Sequence, residues 1–91
     1  MRKRVRMTFL RGKNVKGFMG HWSMNYYVEN IIDLENNELI CSEYTFENST
    51  IFKGMRLKSG DVVEMSIRIE NKVNKIKLTD FSDVKKVIVH E

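Results

Sequence analysis

The strongest constraint on the fold is a period of two in the hydrophobic residues. Residues 5–9 and residues 63–70 alternate strictly between apolar and polar side chains. This alternation places the apolar side chains on one face of an extended strand. In a chain of 91 residues it predicts one domain, residues 1–91, made of short strands. This length excludes a large multidomain enzyme. A chain this short buries only about 60% of the surface that its unfolded form exposes, so its core is small.

The same pattern, with weaker support, predicts the other elements. Strands are expected at residues 4–10, 25–33, 39–46 and 63–70, with a short fifth strand around Ile76 and Leu78. The final apolar run, residues 84–89, either closes the sheet or extends it. A short helical segment is expected at residues 49–57, capped by Asn48 or Ser49. Residues 12–20, which contain three glycines, are expected to form a long loop.

This order of elements predicts an all-β fold, a small five- to six-stranded barrel with one short helical segment between strands 3 and 4. The OB-fold has five strands in a partly open Greek-key barrel and is the first candidate for a chain of this size. An SH3-like barrel is the second. Closure into a barrel would also protect sheet edges, which this proline-free chain has few other means to protect.

Charge is unevenly distributed along the chain. Residues 1–22 contain seven basic residues and no acid, and residues 23–52 contain six acids and no lysine or arginine. Residues 53–91 contain nine basic and six acidic residues, for a net charge of +4. If the basic segments share one surface, they favour an anionic partner such as nucleic acid. Alternatively, the basic first strand pairs with an acidic neighbour, since opposite charges across strands stabilise a sheet by roughly 0.2–1 kcal/mol each.

Several functional classes have no sequence signature here. The single cysteine, Cys41, excludes an internal disulfide and makes a reducing cytoplasm the expected location. No stretch has the length of a transmembrane helix, and the basic start lacks the apolar region of a signal peptide. His21 and His90 are far apart, and no metal-binding or cofactor-binding motif is present. We therefore expect no catalytic residues, no metal, no cofactor and no membrane partner.

Four segments carry a resemblance to known proteins: Val28–Asp33, Ser42–Phe46, Leu57–Met65 and Lys77–Val84. They resemble a group of small OB-fold-like proteins encoded by phages, plasmids and other mobile elements of Gram-positive bacteria. The resemblance covers about residues 7–87, although Thr45 stands where the group often has tryptophan. It implies an OB-fold-like domain. The group is largely uncharacterised, so it supplies no catalytic residues.

Two basic loops would flank the ligand face of such a barrel, which lies on strands 2 and 3. Positive charge follows a phosphate backbone and aromatic rings stack on bases, as non-specific single-strand binding requires. The candidate nucleic-acid-binding residues are Arg11, Lys13, Lys16, Phe18, His21, Trp22, Tyr27, Arg68, Lys72, Lys75 and Lys77. The expected ligand is single-stranded nucleic acid, DNA in preference to RNA. Phe18 and Trp22 have a second interpretation, as an apolar lid packed over one end of the barrel.

The face of the second strand gives a reason for a different partner. If Val28 faces the core, alternation places Tyr27 and Ile31 outside as a stacking platform, with Glu29 and Asp33 beside them. Glu43 would face outward on the third strand, so three carboxylates would repel phosphate. The alternative function is therefore a protein–protein interaction module, an accessory subunit or an inhibitor of host machinery, that docks through the face of strands 2 and 3. The oligomeric state is left open.

Overall fold

The structure, a computed structural model, describes residues 2–88. The described chain is all-β and forms one five-stranded antiparallel sheet in the order β3-β2-β1-β4-β5. The strands are β1 (Arg2–Lys16), β2 (Trp22–Asp33), β3 (Glu38–Phe46), β4 (Val62–Lys72) and β5 (Lys75–Val87). A single 3₁₀ turn, Phe18–Gly20, connects β1 to β2.

The first strand holds the sheet together because it pairs with two neighbours. Residues 5–16 of β1 pair with β2, and residues 2–8 pair with β4. Each pairing is antiparallel, so β1, β3 and β5 run in the same direction. Within residues 2–88 no ladder joins the edge strands β3 and β5, although the Leu78 amide donates a hydrogen bond of 3.0 Å to the Tyr44 hydroxyl. The all-β sheet is thus confirmed, and the sheet is not closed.

Alternation places the core where the sequence predicts it. The fully buried side chains on β1 and β4 are Val5, Met7, Val63, Met65 and Ile67. Phe52, from the segment between β3 and β4, packs edge-on against three other rings. Its ring centroid lies 5.2 Å from that of Tyr26, 5.6 Å from that of Phe9 and 6.1 Å from that of Phe46. Such aromatic pairs add stability beyond the area that they bury.

A bulge in β2 changes which residues face the core. Asn30 has a φ of 52°, and the pairing with β1 shifts by one residue at this point. Asparagine tolerates this left-handed conformation better than most residues. Val28 and Ile31 are therefore both buried, while Ile32 is only half-buried. The expectation that Ile31 faces outward beside Tyr27 is wrong, because one extra residue reverses the alternation.

Three other local expectations differ from the structure. Residues 12–16 continue β1 and pair with β2, so they are not a loop. The short helix expected at residues 49–57 is not confirmed, since this segment consists of turns. The fifth strand and the final apolar run form one strand, β5, in which Asp80 and Asp83 have φ values of 54° and 52°. Val89, the last residue of the predicted run, lies outside the described residues.

The Lys3–Asp33 ion pair joins β1 to β2 at the edge of the core. The Asp33 side chain is buried, and its carboxylate lies 2.8 Å from the Lys3 ammonium. The Glu35 amide donates a second hydrogen bond to it, at 2.9 Å. The hydrogen bond from Lys3, followed by that from the Glu35 amide, lowers the pKa of Asp33, and the same contact raises the pKa of Lys3. The pair therefore stabilises the folded state while both groups are charged.

This pair predicts a specific pH dependence. A carboxyl group with a lowered pKa in the folded state contributes stability above its unfolded pKa, about 3.9, and loses that contribution as the pH falls through its folded value. Asp33→Asn should therefore lower the free energy of unfolding at neutral pH, and the difference from the unaltered chain should shrink as the pH falls below 4. Chemical denaturation across this pH range measures the difference. Glu35→Gln is the control, since Glu35 lies 3.7 Å from Lys3 but is 81% exposed. A difference that does not change with pH would contradict the role of the ion pair.

Candidate nucleic-acid interface

The distal halves of β1 and β2 form a two-stranded ribbon that extends past the rest of the sheet. We call residues 11–27 the β1–β2 ribbon. β4 pairs with β1 only as far as Thr8, and β3 pairs with β2 only from Tyr26 onward. Among the described residues, 13–16 and 22–25 therefore have only each other as ladder partners. The ribbon contains Arg11, Lys13 and Lys16 and no acidic residue.

The outer face of the ribbon carries an arginine stacked on a tyrosine. Arg11 and Tyr27 are directly opposite each other, and the guanidinium carbon of Arg11 lies 4.7 Å from the centre of the Tyr27 ring. Two residues further along, Lys13 is exposed and opposite Asn25. This face continues onto β3, because Tyr27 pairs with Thr45. The arrangement provides a flat cationic and aromatic surface of the kind that stacks on bases.

The opposite face of the ribbon carries a second cation and aromatic ring. Trp22 is opposite Lys16 and is 68% exposed, so the interpretation of Trp22 as a packed lid is wrong. The 3₁₀ turn beside it adds Met19, which is 79% exposed, and His21 is exposed as well. Phe18 begins this turn, and its side chain lies outside the described part of the chain. The end of the ribbon thus combines apolar surface with positive charge.

The turn at the end of the ribbon has a defined backbone. Met19 and Gly20 both have left-handed φ values, of 60° and 78°. The Gly17 amide donates a hydrogen bond of 2.6 Å to the His21 carbonyl, and the Gly20 amide donates one of 3.2 Å to the Gly17 carbonyl. A left-handed conformation at methionine is uncommon and is maintained only where its surroundings fix it. The turn therefore places Met19 at the end of the ribbon, where it and Trp22 are exposed to solvent.

The hairpin between β4 and β5 is the second basic element. Lys72 and Lys75 are opposite each other at its end, Lys77 follows on β5, and Val73 at the tip is 88% exposed. The hairpin and β3 together line a groove of about 760 Å³, which on the β3 side includes Glu43, Tyr44 and Thr45. The structure therefore brings the predicted lysines of this hairpin against the β3 side of the predicted face.

Arg68 is less available than the hairpin lysines. Its guanidinium lies 3.6 Å from the Glu70 carboxylate and 3.9 Å from that of Asp80. Within residues 2–88, no carboxylate lies within 4.0 Å of the ammonium groups of Lys72, Lys75 or Lys77. The two carboxylates reduce the attraction of Arg68 for an anion, so the hairpin lysines carry the positive charge of this element.

The outer face of β2 and β3 holds two carboxylates. Glu29 is directly opposite Glu43, and neither forms an ion pair with a described residue. Like charges at this position repel each other. The third carboxylate expected on this face, Asp33, is instead buried and paired with Lys3, since the bulge at Asn30 turns it inward. The face is therefore less acidic than the sequence predicts.

The positions of the other chemically reactive residues give no cluster. His21 lies at the end of the ribbon and Cys41 is half-buried on β3, while His90 lies outside the described residues. Among residues 2–88, no three His, Cys, Asp or Glu side chains are close enough to hold a metal ion. The described chain also contains no helix with the length and apolar character needed to cross a membrane.

Comparisons with family models, with characterised proteins and with solved structures found no match to this chain. The candidate site therefore depends on geometry. Sequence reasoning identified its cations and aromatic rings but placed residues 12–20 in a loop, and it missed the exposed apolar residue Val73. The sequence does contain a signal that β2 begins at Trp22. Apolar and polar residues alternate from Trp22 to the core residue Val28.

Gly12 offers a test of the ribbon. A Cβ atom at this position would lie 2.9 Å from the end of the Met24 side chain and 3.1 Å and 3.2 Å from two ring carbons of Tyr26. The methionine end can move, but the buried Tyr26 ring packs against Phe9 and Phe52. Gly12→Val should therefore lower the free energy of unfolding by about 1–3 kcal/mol, as overpacking does. Urea denaturation monitored by circular dichroism measures this.

The matched control is Lys13→Val, which places the same side chain on the exposed outer face of the ribbon. It should change the free energy of unfolding by less than about 0.5 kcal/mol, as is usual for surface positions. Equal stability of the two variants would show that residue 12 does not pack against Tyr26.

Proposed function

We propose that this protein is a non-catalytic, OB-fold-like module that binds single-stranded nucleic acid, DNA in preference to RNA. We also propose that its sheet is a barrel of this type left open between β3 and β5, and that it belongs with the mobile-element group that its motifs resemble. The observation that supports binding most strongly is the β1–β2 ribbon, where Arg11 stacks on Tyr27 and Lys16 lies beside an exposed Trp22, with no acidic residue.

The outer face offers a continuous path for one strand. From Trp22 to Tyr27 the ribbon extends about 17 Å, at ~3.4 Å per residue. Tyr27 pairs with Thr45, and Thr45 lines the groove that it shares with Lys72 and Lys75. A strand bound along Lys13, Tyr27 and Thr45 would reach the hairpin lysines without leaving this surface. The path joins the two basic elements through one aromatic platform.

The Glu29–Glu43 pair would fix the orientation of the bound strand. Its two carboxylates repel phosphate, so the backbone of the strand would lie against the ribbon cations and the hairpin lysines. The bases would then face the Tyr27 ring. Stacking on an aromatic side chain is worth about 1–3 kcal/mol per base, so a single platform is enough to be measured.

The same pair of carboxylates favours the second candidate, a protein-interaction module that docks through the face of β2 and β3. Glu29 and Glu43, neither of which forms an ion pair with a described residue, together form an acidic surface beside Tyr27. A basic protein surface would neutralise both carboxylates and bury the tyrosine ring, which is a common type of anchor at interfaces. This candidate predicts a stoichiometric complex that depends on Tyr27 and not on the lysines.

Fluorescence anisotropy with a labelled single-stranded oligonucleotide and the matching duplex tests the proposal. Binding should be tighter for the single strand and should weaken steeply with salt. Lys72→Gln/Lys75→Gln should lower the slope of log affinity against log salt by about 1.4, at ~0.7 for each phosphate that is no longer neutralised. Tyr27→Ala should weaken binding by about 5- to 150-fold, the equivalent of removing one base stack.

The control variant is Lys53→Gln/Lys85→Gln, which removes the same charge from residues outside the ribbon, the hairpin and the β2–β3 face. It should leave the salt slope unchanged. An equal loss in the two double variants would mean that the protein attracts nucleic acid through net charge alone. Absence of binding even at low salt would reject the nucleic-acid function and favour the protein-interaction module.

A further inference from the structure

The two cation–aromatic pairs of the ribbon lie on opposite faces. The register is uninterrupted from Arg11 opposite Tyr27 to Lys16 opposite Trp22. Successive residues of a strand point to opposite faces, so residues five apart lie on different sides. The close approach of Gly12 to Met24 and Tyr26 confirms that the even-numbered residues share the face of Trp22. Each face of the ribbon therefore has its own cation and its own ring.

Both faces are open at the end of the ribbon. Within residues 2–88, no other strand pairs with residues 12–16 or 22–25, and both Trp22 and Lys13 are exposed. The segment after β3 follows β2 along the ribbon, where the Ser49 amide donates a hydrogen bond of 3.0 Å to the Met24 carbonyl and the Ser23 hydroxyl donates one of 2.6 Å to the Asn48 side-chain oxygen. One nucleic-acid strand lying flat on the outer face would contact Tyr27 but not Trp22. The Trp22 face remains available for another strand.

We propose that the ribbon binds a forked nucleic acid, a duplex whose two strands separate and pass on either side of it. This proposal rests on the proposed function and specifies the form of the nucleic acid. One unpaired arm lies on the Arg11–Tyr27 face and the other on the Lys16–Trp22 face. The exposed side chain of Met19 at the tip meets the last base pair.

The chemistry of the ribbon fits a fork better than it fits a single strand or an intact duplex. A cation beside an aromatic ring is the unit that binds an unpaired strand, and the ribbon has two such units facing away from each other. The apolar tip resembles the wedges that proteins insert at base steps, and two hydrogen bonds hold its backbone in place. Binding to an intact duplex would use the cations but neither ring.

The test compares three DNA probes with the same sequence: a duplex ending in two unpaired arms, the same duplex with one arm, and the single strand alone. The fork should bind more tightly than the one-arm duplex by about 5- to 150-fold, the gain from one additional base stack. Trp22→Ala should reduce fork binding to the one-arm level. Trp22→Phe, which keeps an aromatic ring, should retain the preference for the fork.

Trp22 also provides a direct signal, because it is the only tryptophan in the chain. Its fluorescence should be quenched by the fork through base stacking and should change little with the one-arm duplex. Lys16→Gln and Lys13→Gln are matched variants on opposite faces of the ribbon. Lys16→Gln should weaken binding of the fork more than binding of the one-arm duplex, whereas Lys13→Gln should weaken binding of all three probes.

Each outcome separates this inference from the function on which it rests. Equal affinity of the unaltered protein for the fork and the one-arm duplex, without quenching of Trp22, would overturn the fork inference while single-strand binding stood. Absence of binding to all three probes would overturn both.

Discussion

The double pairing of β1 is the constraint on which the rest of the structure depends. Its first half pairs with β4 and its second half with β2, and only residues 5–8 lie between both neighbours. This offset joins the β2–β3 and β4–β5 hairpins into one sheet. It also leaves the second half of β1 with a single partner, so that the ribbon extends from the sheet. The core and the candidate interface therefore both result from the same strand.

The offset between the two pairings of β1 separates its basic residues into two groups. In the half of β1 that pairs with β4, basic residues meet acids: Arg6 contacts Glu64 at 2.6 Å, and Lys3 contacts Asp33 at 2.8 Å. Those two cations fit the interpretation of the basic first strand as a partner for acidic neighbours. The ribbon cations, in contrast, form no ion pair with a described residue. The charges of Lys3 and Arg6 in the first half stabilise the sheet, and charge in the second half is available to a ligand.

The sequence predicts the parts of the fold in which alternation is uninterrupted. The apolar positions of β4 and of residues 5–9 are buried as expected, because nothing disturbs their period of two. The bulge at Asn30 could not be located in this way, since a single left-handed residue reverses the faces without changing the composition. Gly12 misled the prediction because glycine usually marks a loop. Here its lack of a side chain makes room for Tyr26 within a strand.

The residue types of the candidate site were predictable, but their arrangement was not. Lysines, arginines and aromatic rings in two segments point to an anionic ligand from composition alone. Whether Trp22 and Tyr27 share a face depends on the register of β1 with β2, which is fixed by long-range pairing. The availability of Arg68 depends in the same way on Asp80, twelve residues away on the next strand. Sequence patterns carry little information about such contacts.

The pairing of β1 with β4 also has a consequence for folding. Arg2 pairs with Arg68 and Thr8 with Val62, so β1 is synthesised long before this partner exists. Contacts between such distant residues form slowly, whereas the β2–β3 and β4–β5 hairpins are local and form first. Until β4 arrives, the first half of β1 is an unpaired edge that other chains can join. Charged side chains along an edge, lysine above all, oppose such association. The first half of β1 carries four of them, Arg2, Lys3, Arg4 and Arg6, which protect the incomplete chain from aggregation before β4 pairs with β1.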